Sequence, residues 1–414
     1  MSGTSIGTQE YFNVVIVGHV DHGKSTLIGR LLYDTQSIAP DRLETVRQAC
    51  EEIGCPFEFA FITDQIREER EQGITIDTTQ IYFHTTRNYV IIDAPGHREF
   101  TKNMITGASQ AEGAILIIDA HEGVREQTRR HAYLLGFLGL RETIVVINKM
   151  DLVEHSEATF HALTAEITAF FADLGITARY LIPISAALGD NIAARSAQMP
   201  WYTGPTVLEA LDTLRKPGAL HDRPFRLPVQ DVYHVDGVDI IAGRIESGKV
   251  KVGDRLVLMP GDQAVIGAGV HEFGRERHGA LCGESIGLTL AEPVAVRRGM
   301  MLTAPDSRPA ITNTVHGTLF SMAPAPLHVG EEVVFRCTTQ AVPCRVVRIH
   351  RRVDSSTLAL LEENADTLHE TEVGEITLET DEPVLIEAFS AFPELGRFVL
   401  ERRNTIVAGG IITG

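Results

Sequence analysis

The stretch VVIVGHVDHGKSTLIGRLLYD, at residues 14–34, constrains the fold more than any other part of the chain. It joins an apolar run of β-forming residues to an amphipathic segment that is typical of a helix. Between the two stand Gly18, four further residues, Gly23, Lys24 and Ser25. This spacing is typical of a loop whose backbone N–H groups surround a phosphate. Because glycine permits the necessary backbone angles, and because a helix N-terminus carries partial positive charge, the stretch predicts a strand, a phosphate-binding loop and a helix.

The residue types in this loop indicate chemical roles. We expect Lys24 to contact the β- and γ-phosphates of a nucleoside triphosphate, and we expect the Ser25 hydroxyl to ligate Mg²⁺. The other residues predicted to bind the nucleotide here are Gly18, Asp21, His22, Gly23 and Thr26.

Short β-forming runs alternate with helical stretches in the first half of the chain. The runs NVVIVG, YVIIDA, GAILIIDA, TIVVINK and YLIPISA are typical of strands, whereas residues 126–138 and 155–174 are typical of helices. This alternation predicts a mostly parallel sheet that helices cover on both faces. We place this α/β domain at residues 1–214.

The pattern changes after a segment rich in Pro and Gly at residues 215–228, which we interpret as a linker. Beyond it, short β-forming runs broken by Gly and Pro predict two all-β barrel domains, at residues 222–305 and 309–414. A weak helical pattern lies near residues 355–366. A second Gly–Lys motif, GRIESGKV at residues 243–250, has valine in place of Ser or Thr and no helix after it, so we interpret it as a hairpin turn.

Composition and charge argue against several classes of protein. The net charge of −18, from 37 basic and 55 acidic residues, disfavours nucleic-acid binding through a broad positive surface. No apolar run is long enough for a membrane span, and the N-terminal residues do not form a secretory signal, so we expect no membrane partner. Five scattered cysteines fit reduced thiols. These features predict a cytoplasmic location.

Two further segments predict how a triphosphate would be hydrolysed. In DAPGH, Asp93 follows a strand and is placed to hold a magnesium-bound water, while the Gly96 N–H would bond to the γ-phosphate. His97 would then align the attacking water. In EREQGITID, Thr75 would ligate Mg²⁺ and the γ-phosphate. The predicted catalytic residues are His97, Lys24 and Thr75, the predicted metal ligands are Ser25, Thr75 and Asp93, and the alternatives to Thr75 are Thr78 and Thr79.

Two later segments predict that the base is guanine. In NKMD, the Asp151 carboxylate can accept hydrogen bonds from the guanine N1–H and N2 amino groups, which adenine does not present in that geometry. Asn148 would hold the loop and touch the base, and the Lys149 stem would pack on the ring. In SAAL, the Ala186 N–H would donate to guanine O6. Ser185 and Ala187 flank it and complete the predicted set.

The motifs GHVDHGKST, GITID, DAPGH and NKMD, with the two β modules, resemble the translation-factor-type GTPases along nearly the whole chain. The resemblance implies an α/β P-loop GTPase domain followed by two β-barrels, with GTP and Mg²⁺ as cofactors. It also supports the roles given above to Lys24, Ser25, Thr75, Asp93, His97, Asn148 and Asp151.

Two branches of this family remain open. GHVDHGKST, DAPGHREFTKNMITGAS and FPELGRF look like elongation factor 1-alpha, which delivers aminoacyl-tRNA to the ribosome. EEREQGITID, QTRRHAYLLGFLGL, RVVRIHRRVDSSTL and LERRNTIVAGGII look closer to the GTPase (large) subunit of bacterial sulfate adenylyltransferase. That subunit uses GTP hydrolysis to drive adenylyl sulfate formation by a small catalytic subunit. Since the acidic charge also favours it, we expect the sulfate-activating function with the small subunit as partner, and keep the elongation factor as the alternative.

Overall fold

The computed structural model describes residues 11–53, 58–63, 79–93, 111–215, 220–272 and 275–414. The chain divides into two compact units, Met1–Lys216 and Pro217–Gly414. Among the helices in these described ranges, none has the length and apolar character needed to cross a lipid bilayer.

A single mixed sheet forms the centre of the first unit. Within the described residues its strands, β1 to β6 in chain order, are Tyr11–Gly18, Thr79–His84, Asn88–Asp93, Gly113–Asp119, Thr143–Asn148 and Ala178–Pro183. Their spatial order is β2–β3–β1–β4–β5–β6. Strand β2 runs antiparallel to β3, and every other neighbouring pair is parallel. The mostly parallel sheet is as predicted, whereas the antiparallel edge strand was not.

Helices surround this sheet. In chain order α1 to α5 are Lys24–Asp34, Pro40–Ile53, Glu126–Phe137, Glu157–Asp173 and Val207–Thr213. Two of them begin at side-chain caps: Ser156 Oγ accepts from the Thr159 N–H, and Thr206 forms a capping box with Glu209. The consecutive strand residues 14–17 are fully buried, so both faces of the sheet are covered, as expected for parallel strands between helices.

Two closed barrels form the second unit. Its strands β7 to β24 are Arg226–Val235, Val238–Arg244, Lys249–Lys251, Arg255–Met259, Gln263–Glu272, Arg275–Arg277, Gly279–Leu281, Ser285–Leu290, Met301–Thr303, Ala310–Ser321, Leu327–His328, Glu332–Cys337, Gln340–Asp354, Leu360–Ala365, Thr367–Leu368, Glu372–Ile386, Arg397–Arg402 and Thr405–Ile412. The first ring is β10–β15–β7–β8–β14–β11, closed by β10 against β11. The second is β18–β23–β24–β16–β22–β19, closed by β18 against β19. The fold class, an α/β domain followed by all-β barrels, is therefore confirmed.

Two details of the β region differ from the sequence interpretation. The helical pattern near 355–366 is wrong, because Leu360–Ala365 forms strand β20, and its leucines are exposed rather than buried against a core. GRIESGKV is not a hairpin either. Strand β8 pairs with β7 and β14, whereas β9 pairs with β13, and this places Val250 inside the barrel core.

A buried arginine joins the two barrels, and its place in a strand shows that the predicted linker extends too far toward the C-terminus. Strand β7 already begins at Arg226, inside the segment interpreted as a linker. Arg226 is 1% exposed, and its Nε and Nη2 donate to Glu387 Oε1 at 2.8 and 2.7 Å. Its Nη1 donates to the carbonyls of Phe225 and Ser307, both at 3.0 Å. An apolar cluster drawn from both barrels adds to this contact: Val257, Met259, Met301, Leu385 and Leu395.

Candidate nucleotide-binding site

The loop between β1 and α1 has the backbone geometry that the phosphate-binding motif requires. Gly23 caps α1 in the left-handed region, with φ of 90°. A Cβ on Gly23 would lie 2.4 Å from Asn148 Nδ2, and a Cβ on Gly18 would lie 2.2 Å from the Ile117 side chain. Asp21 is exposed and also has positive φ, 62°. Glycine is therefore required at both ends of this loop by conformation or by close packing.

Lys24 is held by the loop that precedes it. Its Nζ donates to the Gly18 carbonyl at 2.8 Å and to the His19 carbonyl at 2.7 Å. The side chain is half-buried at the first position of α1, where the N–H groups of the first turn have no acceptor within the helix and carry partial positive charge. This arrangement concentrates positive charge at one point, which suits the binding of a polyphosphate.

Asn148 connects three loops. It ends β5, and its Nδ2 donates to the His22 carbonyl at 2.9 Å in the phosphate loop. Its Oδ1 accepts from the Ala186 N–H at 2.9 Å in the loop after β6. The predicted role of Asn148 in holding the loop agrees with these contacts. The Ala186 N–H, however, is already bonded to Asn148, so donation to guanine O6 requires that bond to be shared or exchanged.

Asp119 is a site residue that the sequence analysis missed. It is 2% exposed at the end of β4, and its Oδ2 lies 2.7 Å from Lys149 Nζ. Burial alone would raise the pKa of Asp119, but hydrogen bonds from Lys149 and from the N–H groups of His121 and Glu122 outweigh burial and lower it. The carboxylate therefore orients Lys149. The signal was available, because GAILIIDA places Asp at the end of a strand just as YVIIDA does.

Imidazole groups pack behind the phosphate loop. The ring of His22 is fully buried, and its Nδ1 lies 3.4 Å from the Ile117 carbonyl. Burial is the main cause that lowers the pKa of His22 below its usual value, so the ring is neutral at pH 7. His131 of α3 is also buried, and desolvation, with the nearby charge of Lys24, lowers its pKa to about 3. His19 contacts Gln127 of α3 through a short hydrogen bond that the sequence did not predict.

The described metal-ligand candidates lie near the same edge of the sheet. Asp93 is 1% exposed at the end of β3, beside Ile16 of β1. Ser25 and Thr26 are half-buried at the start of α1. A hydroxyl and a carboxylate are oxygen ligands of the kind that Mg²⁺ prefers, so this donor set fits the ion.

The remaining predicted residues divide into two groups. Asp151 is half-buried in the short helix Met150–Val153, directly after β5 and Lys149, and Ser185 and Ala186 are buried at the end of β6. Thr79 begins β2 and pairs in register with Asp93. Other residues lie outside the described part of the chain, and their roles stay predictions: Thr75, Thr78, Gly96 and His97.

Comparison with known proteins decides the family. Residues 9–217 match the Elongation factor Tu GTP binding domain, and residues 315–413 match the GTP-eEF1A C-terminal domain-like family. Elongation factor 1-alpha of Archaeoglobus fulgidus is 38% identical over 412 residues, which cover 98% of this chain and 97% of that protein. The chain belongs to the translation-factor GTPases. Elongation factor 1-alpha of Pyrococcus abyssi is also 38% identical, over 97% of each protein.

These relatives correct the expected function. The sulfate-activating interpretation is wrong, because the curated relatives that match this translation-factor GTPase over nearly its whole length are elongation factors 1-alpha. The expected small catalytic subunit of sulfate adenylyltransferase is therefore unsupported as a partner.

Proposed function

We propose that this chain is an elongation factor 1-alpha-like GTPase that binds aminoacyl-tRNA in its GTP-bound form and delivers it to the ribosome. One observation carries the proposal: the similarity to elongation factors 1-alpha extends over the GTPase domain and both barrels, at 38% identity and 98% coverage. A GTPase domain alone would support only nucleotide hydrolysis.

The first unit supplies residues suited to the nucleotide chemistry. Lys24 and the N–H groups at the start of α1 would bind and neutralise the phosphates, and Asp151 would select guanine over adenine. Ser25 and Asp93 would hold Mg²⁺, which neutralises phosphate charge when bound. Phosphoryl transfer to water depends mainly on such positioning and charge neutralisation. His97 remains the proposed group that aligns the attacking water.

Protection of the ester bond of aminoacyl-tRNA tests this function. We would measure spontaneous deacylation with the purified chain and either a non-hydrolysable GTP analogue or GDP. At a concentration ten times Kd, we expect the analogue complex to slow deacylation about tenfold, because only the small free fraction remains unprotected. GDP should give little protection.

The Lys24→Ala variant is the control for nucleotide dependence, since it removes the phosphate-binding ammonium from the same loop. It should lose protection with the GTP analogue. Equal protection with GDP and with the analogue, or none with either, would overturn the proposed function while leaving GTP binding itself to be measured separately.

A further inference from the structure

Arg30 lies on α1, on the helix that begins at the phosphate loop, and its guanidinium is held in one place. The side chain is 19% exposed, and Nε lies 2.9 and 3.0 Å from the two carboxylate oxygens of Asp34. Its Cζ lies 5.0 Å from the centre of the Phe59 ring and 6.0 Å from that of Tyr33. A planar guanidinium fixed by a carboxylate and an aromatic face is a rigid surface for other groups to pack on.

The backbone of Gly189 packs against that guanidinium. A Cβ on Gly189 would lie 2.1 Å from Nη2, 2.3 Å from Cζ and 2.6 Å from Nη1 of Arg30. Gly189 also has φ of 87°, which disfavours other residues. A side chain at position 189 would have to displace the guanidinium, so the turn and the guanidinium pack directly against each other.

The turn at residues 185–190 carries the amides predicted to meet guanine. The N–H groups of Gly189 and Asp190 both donate to the Ser185 carbonyl, at 2.7 and 3.1 Å. Ala186 is anchored on another side by its bond to Asn148. Arg30 and Asn148 therefore contact this turn from two different elements, α1 and β5. Helix α1 begins at the phosphate loop, and Asn148 at the end of β5 donates a hydrogen bond to that loop.

We propose that Arg30 is a positioning residue for guanine recognition. Its guanidinium supports Gly189 and so holds the 185–190 turn, which carries the Ala186 and Ala187 amides; Ala187 can donate to O6 directly, and Ala186 by sharing its bond to Asn148. Arg30 touches neither base nor phosphate in this role. The inference rests on the proposed binding of guanine nucleotide. In this role Arg30, on the helix that follows the phosphate loop, would affect how strongly the site prefers guanine.

A comparison of two nucleotides tests the role. We would measure Kd for GDP and for the 5′-diphosphate of 2-aminopurine riboside, a base that has no O6, with the intact wild-type chain and with Arg30→Ala. The variant should weaken GDP binding about three- to tenfold, the range for loss of one neutral hydrogen bond, and leave the analogue within twofold. Arg30→Lys should resemble Arg30→Ala, because lysine keeps the charge but lacks the planar surface.

Arg129→Ala is the matched control. Arg129 is also a helical arginine of the first unit, paired with Glu166 at 2.7 Å and lying over Phe170 at 5.3 Å, but on α3 and away from the turn. It should change neither Kd. An equal loss for both nucleotides in Arg30→Ala, or no loss for GDP, would overturn the positioning role. If wild type shows no preference for GDP over ADP, guanine recognition itself fails, which is a separate result.

Discussion

Some single side chains in this protein form hydrogen bonds to more than one loop. Asn148 bonds through its two amide atoms to the phosphate loop and to the turn after β6. Lys149, the next residue, has φ of 61° and is held by Asp119. These two anchors determine how the chain leaves β5, just before the short helix that holds Asp151. Accepting hydrogen bonds from guanine stays the predicted role of the Asp151 carboxylate.

Asp151→Asn should change base preference rather than abolish nucleotide binding. The amide can no longer accept both guanine hydrogen bonds, and its NH₂ group can donate to the 2-oxo group of xanthine. We expect GDP affinity to fall about a hundredfold, as for loss of charge-assisted hydrogen bonds, and XDP affinity to rise. Competition against a fluorescent nucleotide measures both. Asp173→Asn, the same charge change at an exposed position, should have no effect, and unchanged GDP affinity in Asp151→Asn would contradict the assigned role.

At the scale of elements, helix α3 packs behind the phosphate loop and brings a neutral histidine into the interior. His131 is 7% exposed, and its pKa of about 3 lies far below the usual 6.5. The unfolded chain therefore binds a proton near pH 6.5 that the folded chain does not bind. Its contribution to stability is complete above pH 6.5 and is lost as the pH falls toward 3.

In His131→Gln, the unfolding free energy of the first unit should depend less steeply on pH below 6.5. The wild type should lose at most ~1.4 kcal/mol of unfolding free energy per pH unit below 6.5 through this group, and the variant should lack that slope. Trp201, the single tryptophan, lies in the first unit, so urea unfolding followed by its fluorescence reports this unit alone. The exposed His84→Gln is the control. Parallel pH slopes in wild type and His131→Gln would contradict the prediction.

Many elements of the first unit were predictable from sequence, because their apolar periods are strong and their boundaries carry Gly or polar residues, but the edge strand β2 and helices α2 and α5 were not. The helix predicted at 126–138 is Glu126–Phe137, and GAILIIDA is β4. The barrels were predictable as a class, but their pairings were not. The pairing of β9 with β13 depends on contacts between residues that are distant in sequence. The local pattern of GRIESGKV therefore does not predict it.

The sequence predicted candidate site residues only where they fall within a short motif. Lys24, Asn148 and Asp151 stand in short patterns of fixed spacing, whereas Asp119, Gln127 and Arg30 do not. Those three contact residues on other elements that are far away in sequence: His19 and Gln127 are 108 positions apart, and Arg30 and Gly189 are 159 apart. Sequence spacing carries no information about such pairs.

At the scale of the whole molecule, net charge is a poor guide to the partner. The value of −18 led us to disfavour nucleic acid, yet the relatives support an elongation factor. Net charge sums over the entire surface, whereas binding depends on the local charge at one face.

The buried pair between the barrels gives a prediction at the same scale. Arg226→Met should lower the unfolding free energy of the second unit by about 3–5 kcal/mol, because Glu387, which is only 12% exposed, would be left without its partner. The double variant Arg226→Met, Glu387→Leu should recover most of this loss. Calorimetry measures both. Arg308→Met removes the exposed pair with Asp262 and should cost at most ~1 kcal/mol. A loss in Arg226→Met no greater than that would contradict the structural role.

The same buried pair has a consequence for how quickly a large ligand is captured. Because Arg226 and the shared apolar cluster hold the two barrels against each other, a ligand that spans both meets a surface that is already assembled. No entropy is then spent on ordering the two barrels relative to each other at the moment of encounter. Association should proceed in one kinetic step whose rate grows linearly with ligand concentration, without the plateau that a slow rearrangement of the barrels would impose.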